Sequence, residues 1–202
     1  MSRAVNRRAL MAAAGALALT GSAVAAPRPD DMVLGRANAP IEVVEYASLT
    51  CPHCAHFHTD VLPELEQEFI VPGAVKLIVR HFPLNEPALE AAKLVECAGS
   101  TGASRANFMK ALFSMQQQWA FTQNYLEELK KIAMVGGIDS AAFESCKNDA
   151  ELTSRIVSMR QQASQLLQVN STPSFFINGA PLNNSPEIDH LREAIRNAKA
   201  AR

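Results

Sequence analysis

The stretch Cys51-Pro52-His53-Cys54 sits where an apolar strand pattern gives way to a helical one, and it constrains the fold of this 202-residue chain more than any other segment. Before it, Ile41-Glu42-Val43-Val44-Glu45-Tyr46 is rich in β-branched and aromatic residues and reads as a strand. After it, Phe57, Val61, Leu62, Leu65 and Phe69 recur at helical spacing, which predicts a helix opening at or just after Cys51. Pro52 suits the first helical position, where an N–H has no intrahelical partner in any case. The junction puts the Cys51 sulfur at a helix N-terminus, where unpaired N–H groups and the positive end of the helix dipole favour an anion. The thiolate is the reactive form of cysteine, so the pair reads as a redox dithiol.

Other uses of a Cys-x-x-Cys pair fit less well. Covalent haem attachment needs a histidine directly after the second cysteine, and position 55 is alanine. A structural zinc site needs four ligands, usually from two such pairs, and the chain has no second pair. His56 and His58 follow on the same helix and read as a partly exposed face, with zinc or copper handling as the alternative.

Residues 1–25 read as a secretory signal peptide. Arg3, Arg7 and Arg8 form a basic start, residues 9–19 a short apolar stretch, and Ala23-Val24-Ala25 a small-residue cleavage site. The adjacent Arg7 and Arg8 are compatible with a twin-arginine signal, so export by either the Sec or the twin-arginine route is expected. Export implies a periplasmic or secreted location in which disulfides form and persist. The remaining residues 26–202 suffice for one domain with its own core. The whole chain carries a formal charge of −1, and losing three arginines makes it more acidic. Nothing in that balance suits nucleic acid or an anionic membrane surface.

Residues 26–40 are mostly irregular, with Met32-Val33-Leu34 as a candidate short edge strand. Residues 75–82 read as a second long strand closed by Pro83, and Pro63 lies inside the intervening helix, where a kink is expected. Strand, helix and strand at this spacing make a βαβ unit. A helical pattern then runs to about residue 167, with breaks at 99–102, 119–123, 136–139 and near Asn148, and Asp139 as an N-cap. Trp119 and Phe121 read as packing residues. The strand pattern returns at Ser174-Phe175-Phe176-Ile177, followed by the hairpin signal Asn178-Gly179 and a partner strand from Pro181-Leu182. Ser185-Pro186-Glu187 opens a last amphipathic helix through Ile188, Leu191 and Ile195. Cys97 and Cys146 fall on different helices of the middle region, near apolar neighbours. In an exported chain they read as a structural disulfide, the alternative being two buried thiols. Closing that loop is worth roughly 4 kcal/mol on the loop-entropy model.

The Cys-Pro-His-Cys motif after a strand, the helical insertion, and Thr172-Pro173 before a hairpin and a C-terminal helix together resemble the DsbA family of thioredoxin-fold oxidoreductases. The run Thr172-Pro173-Ser174-Phe175-Phe176-Ile177-Asn178-Gly179 looks closest to the branch containing the BdbD proteins. The resemblance implies an α/β thioredoxin fold over residues 26–202, with an all-helical insertion at about 86–168. It implies that Cys51 is the exposed nucleophile and Cys54 the buried resolving partner. Pro173 is then a cis-proline beside the pair, the alternative being a trans proline at a strand start, and Thr172 offers backbone groups to a substrate. His53 tunes the potential. Glu45 matches the family's buried acid that assists proton movement at the resolving cysteine; an alternating strand would allow it to face solvent instead. Threonine stands where the best-known oxidant of the family has valine, and Ser171 replaces the glycine usual in the BdbD-like branch.

The implied activity is disulfide donation to reduced, unfolded exported proteins, with reoxidation by a DsbB-like, quinone-linked membrane partner. No bound cofactor is needed. Thr172 also suits an isomerase or reductase of the same fold, but residues 26–40 are too short for the oligomerising segment such enzymes carry, so a monomer is expected. A metal-binding protein using Cys51, Cys54 and the nearby histidines is the alternative from another class.

Overall fold

A computed structural model describes residue 28 and residues 31–183 and 187–200. Its centre is a five-stranded sheet in the order β1-β3-β2-β4-β5. Strand β2 (Ile41–Ala47) lies in the middle, parallel to β3 (Val75–His81) and antiparallel to β4 (Ser174–Ile177). Strand β1 (Met32–Leu34) pairs antiparallel with the outer side of β3, and β5 (Ala180–Pro181) with the outer side of β4. Every residue of β2 is buried, which accounts for its nearly unbroken apolar run: both faces of the sheet are covered. Strand alternation sends Val43, Glu45 and Ala47 to one face and Val44 and Tyr46 to the other. The second face packs Val44, Tyr46 and Ile78 against Phe82, Ala163 and Val169.

Helix α1 begins at Pro52–His56 and continues without a break to Ile70. Two of its stretches, Phe57–Val61 and Glu66–Ile70, have the wider π-type hydrogen bonding, separated by the α turn Leu62–Leu65 that holds Pro63. Pro63 supplies no N–H and crowds the carbonyl four residues back, and widened turns on either side accommodate both effects. The expected disturbance is therefore taken up within an unbroken helix.

Between β3 and β4 run helices α2 (Glu86–Cys97), α3 (Gly102–Ser114), α4 (Gln116–Trp119), α5 (Tyr125–Val135), α6 (Ser140–Lys147) and α7 (Ala150–Leu167). In α2, α3, α6 and α7 the N-cap side chain satisfies a first-turn N–H group. Asp139 accepts from Ala142 N, as its position in the sequence predicts, and Asn85, Thr101 and Asp149 do the same for α2, α3 and α7. Cys97 at the end of α2 is bonded to Cys146 in α6. Trp119 is fully buried, its Nε1 donating to the Leu112 carbonyl at 3.0 Å. Phe121 is not a packing residue: it sits in the turn after α4 and is 58% exposed.

Asn178 and Gly179 both take positive φ, 48° and 82°, as a tight hairpin between right-twisted strands requires. The returning strand starts at Ala180, one residue earlier than the sequence pattern predicts. Helix α8 covers Ile188–Ala200 and buries Leu191 and Ile195; the expected opening at Ser185 and Pro186 lies outside the described residues.

Candidate active site

Cys51 is the N-cap of α1, with extended backbone angles (φ −85°, ψ 121°), so the chain turns helical only at Pro52. The approach loop is fixed from several sides. The Cys51 N–H donates to the Ser48 carbonyl at 3.0 Å, and Gln116 Nε2 donates to the carbonyls of Leu49 and Cys51 at 2.8 and 3.0 Å. Gln116 is buried and comes from α4, so the helical insertion sets the position of the nucleophile. Gln116→Ala leaves two buried carbonyls without that donor. It is expected to lower stability by about 1–3 kcal/mol and to slow alkylation of Cys51, checked by denaturant unfolding and thiol-labelling rates.

The Thr172–Pro173 peptide bond is cis, and the Cys51 thiol donates to the Thr172 carbonyl at 3.2 Å. The Thr172 hydroxyl is buried with no hydrogen-bond partner among the described residues. The thiol of Cys51 is pulled down to about 5, chiefly by the Cys54 side chain, which donates to the thiolate. Partial burial opposes that shift, while the N–H groups of Cys54 and His53 at the start of α1 reinforce it. Cys54 goes the other way. Burial pushes its thiol up, and the neighbouring Cys51 and the charge of Glu45 push it further. One sulfur is therefore held as an anion and the other as a thiol.

His53 is exposed at the first turn of α1. Glu45 is 0% exposed, on the β2 face covered by α1, so the solvent-facing alternative does not hold. Its Oε2 lies 2.9 Å from His58 Nε2, and its Oε1 is buried without a partner among the described residues. The two histidines after the motif part company. His56 is exposed, as expected, and pairs with Asp60 at 2.7 Å and Glu187 at 3.5 Å. His58 is only 4% exposed and stacks on Phe113 of α3, so the expected exposed face is wrong for it. The signal was its spacing: four residues beyond Cys54, it lies on the same buried stripe as Phe57, Val61 and Leu65. Gln116 carried no comparable signal. Among the described residues, no three or more His, Cys, Asp or Glu side chains are grouped to hold a metal ion.

A sequence model of the family described as Thioredoxin matches residues 28–197. The crystal structure of Wolbachia pipientis alpha-DsbA1 superposes with a TM-score of 0.82 at 32% identity, covering 88% of this chain and 95% of that one. The chain is a DsbA-like member of the thioredoxin superfamily. The thioredoxin fold with its helical insertion is thus the one the sequence predicts. This DsbA-like chain is also similar to a Rickettsia prowazekii protein provisionally named a protein-disulfide oxidoreductase, at 33% identity over 84% of this chain. It spans only 61% of that relative's length. Disulfide bond formation protein D of Bacillus subtilis is 27% identical over 81% of this chain and 74% of its own length.

Proposed function

We propose that this chain is a protein-disulfide oxidoreductase that donates the Cys51–Cys54 disulfide to reduced, unfolded exported proteins. The observation that carries the reading is the opposed pair of sulfurs, an acidic Cys51 at a helix N-terminus beside a Cys54 kept protonated by burial. A substrate thiolate attacks Cys51 Sγ, the bond to Cys54 breaks, and Cys54 leaves with the electron pair and takes a proton. A second substrate thiolate then attacks the substrate sulfur of the mixed disulfide and expels Cys51 as a thiolate. The substrate loses two electrons and the enzyme gains them. A low thiol pKa makes Cys51 a good leaving group and favours the reduced enzyme, which makes the disulfide oxidising. Residues 1–25 would direct export, and a DsbB-like, quinone-linked membrane partner would restore the disulfide to a monomeric enzyme.

The pH dependence has a definite sign. The folded-state value for Cys51 lies below the ordinary 9.0, so the extra stability of the reduced form is complete above pH 9.0 and lost as pH falls through about 5. Thiolate absorbance and Cys51 alkylation are expected to be half-maximal near pH 5. Equilibration with glutathione is expected to give a potential well above thioredoxin's value of about −270 mV. A potential near that value would reject the oxidant reading in favour of a reductase or isomerase, for which Thr172 is the clue.

A further inference from the structure

We infer that Asn85 is a positioning residue for the nucleophile: with Ser48 and Thr50 it closes a ring of hydrogen bonds that fixes where Cys51 holds its sulfur, and so helps set the redox potential of the pair. The inference rests on Cys51–Cys54 exchanging disulfides. Ser48 and Thr50 lead into Cys51, and both are buried, so each hydroxyl needs a partner inside the protein. They find partners in the segment that opens α2. The Leu84 N–H donates to Ser48 Oγ at 3.4 Å, Ser48 Oγ lies 3.4 Å from Thr50 Oγ1, and Thr50 Oγ1 donates to Asn85 Oδ1 at 3.1 Å. The same Oδ1, at the N-cap of α2, accepts the Ala88 N–H at 3.0 Å. The direction of donation is set from both ends. A backbone N–H can only donate, which leaves the Ser48 proton for Thr50, and the Asn85 oxygen can only accept. Leu84 and Asn85 are neighbours, so the chain closes on itself, and bonds in such a chain strengthen one another.

Gln116 holds the same loop through other atoms, the carbonyls of Leu49 and Cys51, and the Ser48 carbonyl takes the Cys51 N–H. The ring adds the two side chains, so the approach to Cys51 is held through backbone and side chains alike. What that rigidity protects is the extended backbone at Cys51 (φ −85°, ψ 121°), which leaves the sulfur where the Cys54 thiol and the N–H groups of Cys54 and His53 reach it. Hydrogen bonds weaken steeply as their geometry drifts, and those to an anion are the strong ones. A small displacement of the sulfur therefore costs the thiolate more than the thiol. A weaker thiolate makes the reduced enzyme less favoured and the disulfide less oxidising. Asn85 acts on Cys51 in this way through Thr50, from the opening of α2.

Thr50→Val keeps the shape of the side chain and removes its hydroxyl, while Asn85 still caps α2. Asn85→Ser keeps a capping oxygen for Ala88 but draws it back from Thr50. In folded protein each change is expected to move the pH midpoint of Cys51 thiolate absorbance from about 5 to about 6, a roughly tenfold loss of thiolate stabilisation. Equilibration with glutathione is expected to show the same tenfold change, a potential lower by about 30 mV. Both substitutions remove one and the same bond, so the double variant is expected to shift no further than either single one. Thr50→Ser restores the hydroxyl and is expected to return the wild-type midpoint. A wild-type midpoint and potential in folded Thr50→Val, with only the melting temperature lowered, overturns the inference, as do shifts that add in the double variant. If the wild-type pair does not equilibrate with glutathione at all, the exchange reading itself fails instead.

Discussion

Cys54→Ser protein mixed with a disulfide-bonded peptide is expected to stop at a one-to-one mixed disulfide through Cys51, while Cys51→Ser protein forms none. Either change is expected to lower turnover by at least roughly 10⁴-fold, the scale on which loss of a covalent nucleophile acts. The two variants differ in where they stop because the two sulfurs differ in environment. Cys51 is held near pKa 5 at the opening of α1, so at neutral pH it is already the attacking species. Cys54 is sealed and its thiol is raised by burial, by Cys51 and by Glu45, so it can neither reach a second protein nor ionise to attack one. Intact-mass measurement after mixing, with alkylation of whatever thiol remains, reads both outcomes. Equal labelling of Cys54 in Cys51→Ser and of Cys51 in Cys54→Ser would falsify the assignment of roles.

That asymmetry was half legible in the sequence. The strand pattern before Cys51, the proline after it and the apolar stripe beyond it locate a cysteine at a helix N-terminus, because each of those signals is local. The late strand and the Asn178-Gly179 turn are local too, and they place Thr172 and Pro173 at the start of β4 beside β2. What the sequence does not carry is contact between distant segments. Gln116 reaches back to the carbonyls of Leu49 and Cys51 across 65 residues or more, and no periodicity announces which polar residue of a helical insertion will do so. His58 lies between these cases. Its phase with Cys54 was available, but a histidine on an apolar stripe implies a partner only once Glu45 is known to face the same helix. Phe121 shows the reverse error, since an aromatic residue beside a buried tryptophan need not share its burial when the chain turns between them.

The same limit governs the other face of the sheet, where the largest stability effect is expected. Arg80 follows strand alternation from Ile78, which puts its guanidinium among apolar residues at 2% exposure. A charge there persists only if it is paired. Asp31, just before β1, supplies the pairing: Oδ1 accepts from Nε at 2.9 Å and Oδ2 from Nη2 at 2.8 Å, while Nη1 reaches the Tyr46 hydroxyl at 3.3 Å. Asp31 Oδ2 also accepts the Arg28 N–H at 2.8 Å, so the carboxylate ties the entry of the chain to the sheet. Asp31→Ala leaves a buried positive charge without its counter-ion and is expected to cost about 3–5 kcal/mol. In a domain of this size that corresponds to a fall in melting temperature of roughly 6–20 °C. The double variant Asp31→Leu/Arg80→Met removes both charges and is expected to recover most of the loss, because desolvating the pair offsets much of its attraction. Calorimetry of the two variants separates the possibilities. If the double variant melts as low as Asp31→Ala, the loss comes from the anchoring of the β1 approach and not from an exposed imbalance of buried charge.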